Sequence, residues 1–401
     1  MKSISLFFIY ALLIACSKAE YAPKLSFEDI TVIENAHLPR LNTDVNGDIF
    51  LSYINQSGDK KHLYHSKLDQ ASWSEPNTIA SGSNWFVNWA DFPSVITYEG
   101  TPLAAHWLQE TGGDNPYGYH VMGASFIKGE WSEAQRLHKD DSDTEHGFVS
   151  LYPINPESFI GIWLDGHNTG GGDHDSHDDH GSGAMTLHGA IFVDGKPQEE
   201  IEIDSKICDC CTTSMAKTTN GFITAYRNRT DDEIRDTWIV RYANGEWKEP
   251  KPVHEDGWVI DGCPVNGPAI DAKDDKVAVS WFTMANDTAK VLLAFSDDEG
   301  ETFTNPIRVD QGRPAGRMDI IQNEDGTAWV SWMERVGTKT ELRLNLFNRE
   351  GEVVLKHIIA QLSSSRRAGF PQITPSENGL IASWTEVGDT YSVKTQRINV
   401  Q

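Results

Sequence analysis

Cys208, Cys210 and Cys211 fall within four consecutive residues, and Cys263 follows downstream. Three chemistries are open to such a set: two disulfides in one of three pairings, a thiolate site for a soft metal, or free redox thiols. Adjacent Cys210 and Cys211 seldom bridge to each other without strain, whereas a bond from Cys263 to the triplet would act as a staple. A second unusual stretch carries His167, His174, His177 and His180 among aspartates and glycines. Imidazoles and carboxylates on a flexible segment are ligands for divalent copper, zinc or nickel; the plain alternative is a solvated polar loop. Copper and zinc are the candidate ions for a mixed cysteine and histidine site. A third stretch, Tyr226 to Asp236, alternates arginines with carboxylates. Some of these groups are expected to pair internally. The remaining guanidiniums, Arg227 and Arg229, with Arg317 and Arg367 elsewhere, form a fork suited to a substrate carboxylate or sulfate.

These residues need a scaffold that brings distant segments together, and the chain carries a repeat that does so. A short apolar strand, a Gly-containing turn and a second apolar strand ending in Trp or Tyr recur seven times. The aromatic ends are Tyr53, Trp107, Trp163, Tyr226, Trp281, Trp332 and Trp384. Their spacings are 54, 56, 63, 55, 51 and 52 residues, and the long interval contains the histidine-rich insertion. Between copies lie hairpin turns such as Asp194-Gly195 and Asn244-Gly245, which supply the positive φ that tight hairpins need. Four strands per unit with almost no helical periodicity predict an all-β propeller of seven four-stranded blades, with six as the alternative. The last copy shows only three strands, so Leu25 to Ile33 is expected to close its blade. In a propeller, the loops leading into the innermost strands and those joining second to third strands open on one face. The cysteines, Trp89, Asp91, Glu145 and the arginines all fall in these loops.

With 59 acidic against 34 basic side chains, the net charge is −25, which excludes a nucleic-acid binder. A content of 39% hydrophobic and 23% charged residues places the chain in the soluble globular class. The start, Met1-Lys2 followed by an apolar run from Ile4 to Ile14, is too short for a membrane span and reads as an export signal.

Leu13-Ile14-Ala15-Cys16 resembles the lipobox of bacterial lipoproteins. The resemblance implies a signal over 1–15, acylation of Cys16, a tether over 16–24 and a propeller over 25–401. Ser17 implies an outer-membrane destination, with membrane contact through the lipid anchor only. A plain secretory signal cut elsewhere is the alternative, and the chain is expected to be a monomer.

Ser296-Asp297-Asp298-Glu299-Gly300-Glu301-Thr302-Phe303 resembles the Asp-box, or BNR repeat, of the sialidase superfamily. The motif is structural: Asp298 is expected to accept hydrogen bonds across the turn while Phe303 packs beneath it. Sialidases grip a carboxylate with three arginines, use a tyrosine and glutamate pair as nucleophile and an aspartate as acid/base. Carried over, the resemblance implies Asp91 as acid/base beside Trp89, with Arg227, Arg317 and Arg367 on the anion. The chain reads His37-Leu38-Pro39 where a sialidase has Arg-Ile-Pro, so Arg40 is the substitute for the first arginine. Tyr226 is the nucleophile by context, or equally the aromatic end of a core strand. The expected function is binding and hydrolysis of an acidic glycan without a cofactor. The rival readings are a non-catalytic glycan- or protein-binding propeller, and a metal or thiol-redox protein.

Overall fold

The computed structural model describes residues 24–169 and 183–401; Cys16, His174, His177 and His180 lie outside the described residues. Seven antiparallel sheets follow one another around a central channel. Their innermost strands are Ala36–Thr43, Ser94–Tyr98, His146–Asn155, Ser214–Thr218, Ala269–Lys273, Pro314–Gln322 and Gln372–Ser376, numbered here as blades one to seven. Among the described residues, helix is confined to the single turns Ala285–Asp287 and Arg366–Ala368.

Second strands are buried on both faces: every residue of Ser158–Asp165 is buried, as a strand sandwiched between neighbouring sheets must be. All seven aromatic ends sit in these strands, none more than 8% exposed. The apolar core is accordingly a ring of seams between adjacent blades. Trp163 and Phe159 meet Leu108 and Leu137 across blades two and three, and Trp332 meets Phe282 and Phe295 across blades five and six.

Closure is as the repeat predicts. Leu25–Glu34 pairs antiparallel with Tyr391–Val400, from Leu25 opposite Val400 to Glu34 opposite Ser392. The outer edge of blade seven is thereby satisfied by the other end of the chain. Polar ties join the inner strands: Asp271 accepts from the Gln322 amide and Asp319 from the Ile373 amide, each at 2.8 Å. The turn at Ser296–Phe303 closes with Asp298 accepting from the Thr302 amide at 2.8 Å and from its hydroxyl at 2.7 Å. Phe303 packs against the seam of blades four and five.

Candidate functional site at the channel mouth

The loop leading into blade two places Trp89 and Asp91 where the sequence expects them, on the channel. Trp89 stacks on Phe370, with ring centroids 6.0 Å apart and planes 13° from parallel. Guanidiniums lie against this platform: that of Arg317 is 4.6 Å from the Trp89 ring and 5.8 Å from the Phe370 ring, and that of Arg366 is 5.9 Å from the Trp89 ring. Arg317 is fixed by donating to the Gly369 carbonyl at 2.9 Å. Burial pushes its pKa down to about 10, and the charges of Arg335 and Arg366 push the same way. Among the described residues, no carboxylate lies within ion-pair distance of Arg317, Arg335, Arg366 or Arg367, although acidic groups outnumber basic ones in the chain. Arg335, Arg366 and Arg367 are exposed.

Beside this cationic platform sits a pair of carboxyls joined by one phenol. The Tyr119 hydroxyl lies 2.5 Å from Glu145 Oε1 and 3.2 Å from Asp91 Oδ2. Asp91 Oδ1 accepts from the Phe148 amide at 2.9 Å, tying blade two to blade three. Gly147 permits this approach, since a Cβ there would stand 1.9 Å from Asp91 Oδ2. Phe86 stacks on Tyr119 at 4.2 Å and holds the ring. Burial pushes Asp91 up to about 7, against hydrogen bonds from Phe148 and Tyr119. Burial also raises Glu145 to about 8, and the charges of Asp91 and Asp209 reinforce the effect. Asp91 is 1% exposed, whereas Glu145 is partly buried and the more accessible residue of the two.

The other nominated residues are distributed differently from the expectation. Arg227 is 1% exposed and donates to the carbonyls of Arg235 at 2.6 Å, Asn266 at 2.8 Å and Phe282 at 2.8 Å, so it clips blade four to blade five instead of facing the channel. Arg229 is held by Asp209 at 3.1 Å and Glu233 at 2.8 Å. Arg40 bonds Gln372 at 2.6 Å and covers Phe92 in the channel wall. Tyr226 is buried in the seam of blades three and four, its hydroxyl donating to Asp204 at 2.6 Å, so it takes the core role of its two readings. Backbone carbonyls draw Arg227 inward and two carboxylates hold Arg229, which removes both from the cationic face.

Among the described residues the four cysteines, Cys208, Cys210, Cys211 and Cys263, form no disulfide. Cys208, Cys210 and Cys211 present sulfurs that all lie within 4.8 Å of one another, and Cys263 is exposed but reaches Cys210 from blade five. His167 does not join them. Its Nδ1 meets Asp165 at 2.7 Å, and it groups with Asp165 and His188. His120, His138 and His146 form a further imidazole group on the blade-two side.

Sequence reasoning missed Tyr119, which begins a third strand, and gave Glu145, Arg335 and Arg366 a loop position but no role. Only the fold shows that one phenol spans two carboxyls.

No protein-family model matches the chain, and no curated protein matches it. Solved structures do. A protein of unknown function from Dyadobacter fermentans is 14% identical with a TM-score of 0.50, over 94% of this chain and 99% of that one. A polysaccharide lyase, an ulvan lyase bound to -[GlcA(1-4)Rha3S]-, is 9% identical with a TM-score of 0.55, over 91% and 95%. A subtype N10 neuraminidase-like protein of A/little yellow-shouldered bat is 11% identical with a TM-score of 0.45, over 94% and 100%. At these identities the likeness is one of fold alone, and it is carried by the Dyadobacter protein and the ulvan lyase.

Proposed function

We propose that the channel mouth binds an acidic glycan, with Arg317, Arg335 and Arg366 on its carboxylate or sulfate and Trp89 beneath a sugar ring. The observation that carries this reading is the guanidinium cluster over Trp89 with no carboxylate partner, in a chain of net charge −25. Charges left unpaired beside an aromatic platform are matched by an anionic ligand with an apolar face. The ulvan lyase of like fold is bound to a disaccharide that bears both a uronate and a sulfate, which supports the ligand class.

Cleavage is assigned to Glu145, the more accessible carboxyl of the pair, as acid/base, with Asp91 and Tyr119 holding and tuning its proton. This replaces Asp91 as the group that meets substrate, because both Asp91 oxygens are already engaged. A tyrosine, a glutamate and an aspartate are the residue types the sialidase resemblance implies, here with the acid/base role moved to the glutamate, and hydrolysis of an acidic glycoside is the reaction class we assign. The chain is further read as a lipoprotein anchored through Cys16 in the cell envelope; a diacyl mass on the Cys16 peptide is the check.

Calorimetric titration with sialyllactose, a uronate oligosaccharide, a sulfated oligosaccharide and neutral lactose tests the binding step. Acidic ligands should bind, with Arg366→Ala and Trp89→Ala each weakening them by roughly tenfold or more. Equal binding of lactose, or an Arg366→Ala variant with unchanged affinity, would sink the reading. Binding across the acidic panel without product release would leave a glycan-binding propeller with no turnover.

A further inference from the structure

We propose that Cys208, Cys210 and Cys211 form a binding site for one soft metal ion, monovalent copper, on the same rim of the propeller. The inference does not rest on the glycan reading. Cys208 and Cys211 sulfurs stand 3.6 Å apart, well beyond the roughly 2.05 Å of a disulfide. Ligand sulfurs about 2.3 Å from a common ion are separated by a little under 4 Å, which is the spacing found here.

The loop is built to hold that spacing. Its start is fixed by the Cys208 amide donating to the Arg227 carbonyl at 3.0 Å. The intervening Asp209 accepts from the Met185 amide at 3.3 Å and pairs with Arg229 at 3.1 Å and with Arg235 Nη1 at 3.6 Å. Three of four successive residues thus bring their sulfurs within 4.8 Å of one another. Cys208 and Cys211 are each 1% exposed, and half-buried Cys210 leaves a path from solvent.

A cluster of thiolates in a buried place needs positive charge nearby. Arg235, fully buried, donates from Nη1 to Cys208 Sγ at 3.4 Å and is itself oriented by Glu233 at 2.9 Å. Metal binding would displace thiol protons as the sulfurs become ligands.

The ligand set selects the ion. Sulfur is soft and favours monovalent copper and zinc over calcium, magnesium or manganese. Three sulfurs complete a trigonal shell for monovalent copper, whereas structural zinc takes four ligands and the fourth thiol in reach, Cys263, is exposed and lies outside the buried set. The imidazoles on the neighbouring blade are committed elsewhere: His167 pairs with Asp165, and His188 with Glu200 at 3.0 Å. Copper enters and remains monovalent, so no electron transfer is involved.

The test is anaerobic titration of the reduced full chain with monovalent copper against a chromophoric copper chelator, with zinc titrated in parallel. The expected result is one copper per chain, a near-ultraviolet thiolate-to-copper band and proton release. Cys210→Ser, at the half-buried position that tolerates change best, should weaken copper by on the order of 100-fold while the far-ultraviolet dichroism stays native. Cys263→Ser and His167→Ala should each leave affinity within about threefold. The proposal is overturned if the reduced, folded chain takes up no copper, if a Cys208→Ser and Cys210→Ser double variant retains the site, or if zinc binds stoichiometrically and displaces copper.

Discussion

A phenol has one proton to give, so Tyr119 cannot serve Glu145 and Asp91 as donor to two anions at once. Whichever carboxyl it does not serve must carry a proton of its own, and the pair titrates as a unit. With Asp91 raised to about 7 and Glu145 to about 8, turnover of an acidic glycoside should peak between those values and fall on either side. Glu145→Gln should lower kcat by on the order of 10² to 10⁴ with KM little changed, because shape is kept and proton transfer is lost. A flat pH profile, or a variant with wild-type kcat, would remove Glu145 from the chemistry. Asp91 also has a stability consequence. Its folded pKa is raised, so the folded state favours the protonated form; that stability is complete below the ordinary aspartate value near 4 and is lost as pH rises through about 7. Between about pH 4 and pH 7 the loss should approach about 1.4 kcal/mol per pH unit, and above pH 7 it saturates. Asp91→Asn keeps an acceptor for the Phe148 amide and should flatten this slope in urea denaturation between pH 4 and 7. Trp89, Asp91 and Arg317 were legible in the sequence because their loop positions fix the face they occupy. Arg227 was not, because a guanidinium at the same kind of position can turn inward to three carbonyls, and nothing in residue type says which way it turns.

At the scale of strands and blades the sequence is far more explicit. A strand buried on both faces demands a large apolar residue at a fixed place in each sheet, and this writes the aromatic period into the chain whatever the loops do. The missing fourth strand of the last copy was readable for the same reason. What the pattern did not carry is the tying of blades by single polar groups. Asp319 accepts from the Ile373 amide across blades six and seven, and its burial raises its pKa to about 6. Asp319→Ala should cost about 1–3 kcal/mol, since it strands a backbone donor, whereas Asp319→Asn should recover most of the loss. Comparable denaturation midpoints for the two variants would contradict the tie. Gly147 is the same argument run in reverse. Its Cβ would collide with the Asp91 carboxylate, so Gly147→Ala should disturb both the seam and the pH profile.

Across the whole molecule, the ring is only as secure as its join. Six of the seven blades are made from contiguous sequence, but blade seven takes its outer strand from the opposite end of the described chain. Ile30 of that strand is 2% exposed and packs with Ile49 and Ile381, so the join is also a piece of core spanning blades one and seven. Without it, Tyr391–Val400 would present a row of unpaired amides and carbonyls, and the net charge of −25 would then act against closure by self-repulsion. Removing residues 24–34 should therefore lower the thermal midpoint and produce concentration-dependent association through the exposed edge. Ile30→Asp offers a gentler form of the same test, because it keeps the strand's backbone while burying an unpaired charge, at a cost of about 3 kcal/mol or more. Higher ionic strength should partly restore the truncated chain by screening repulsion but leave the Ile30→Asp penalty largely in place, because a buried charge is poorly screened. If both variants instead melt like the parent and stay monodisperse in light scattering, closure by the N-terminal strand is not what holds the ring.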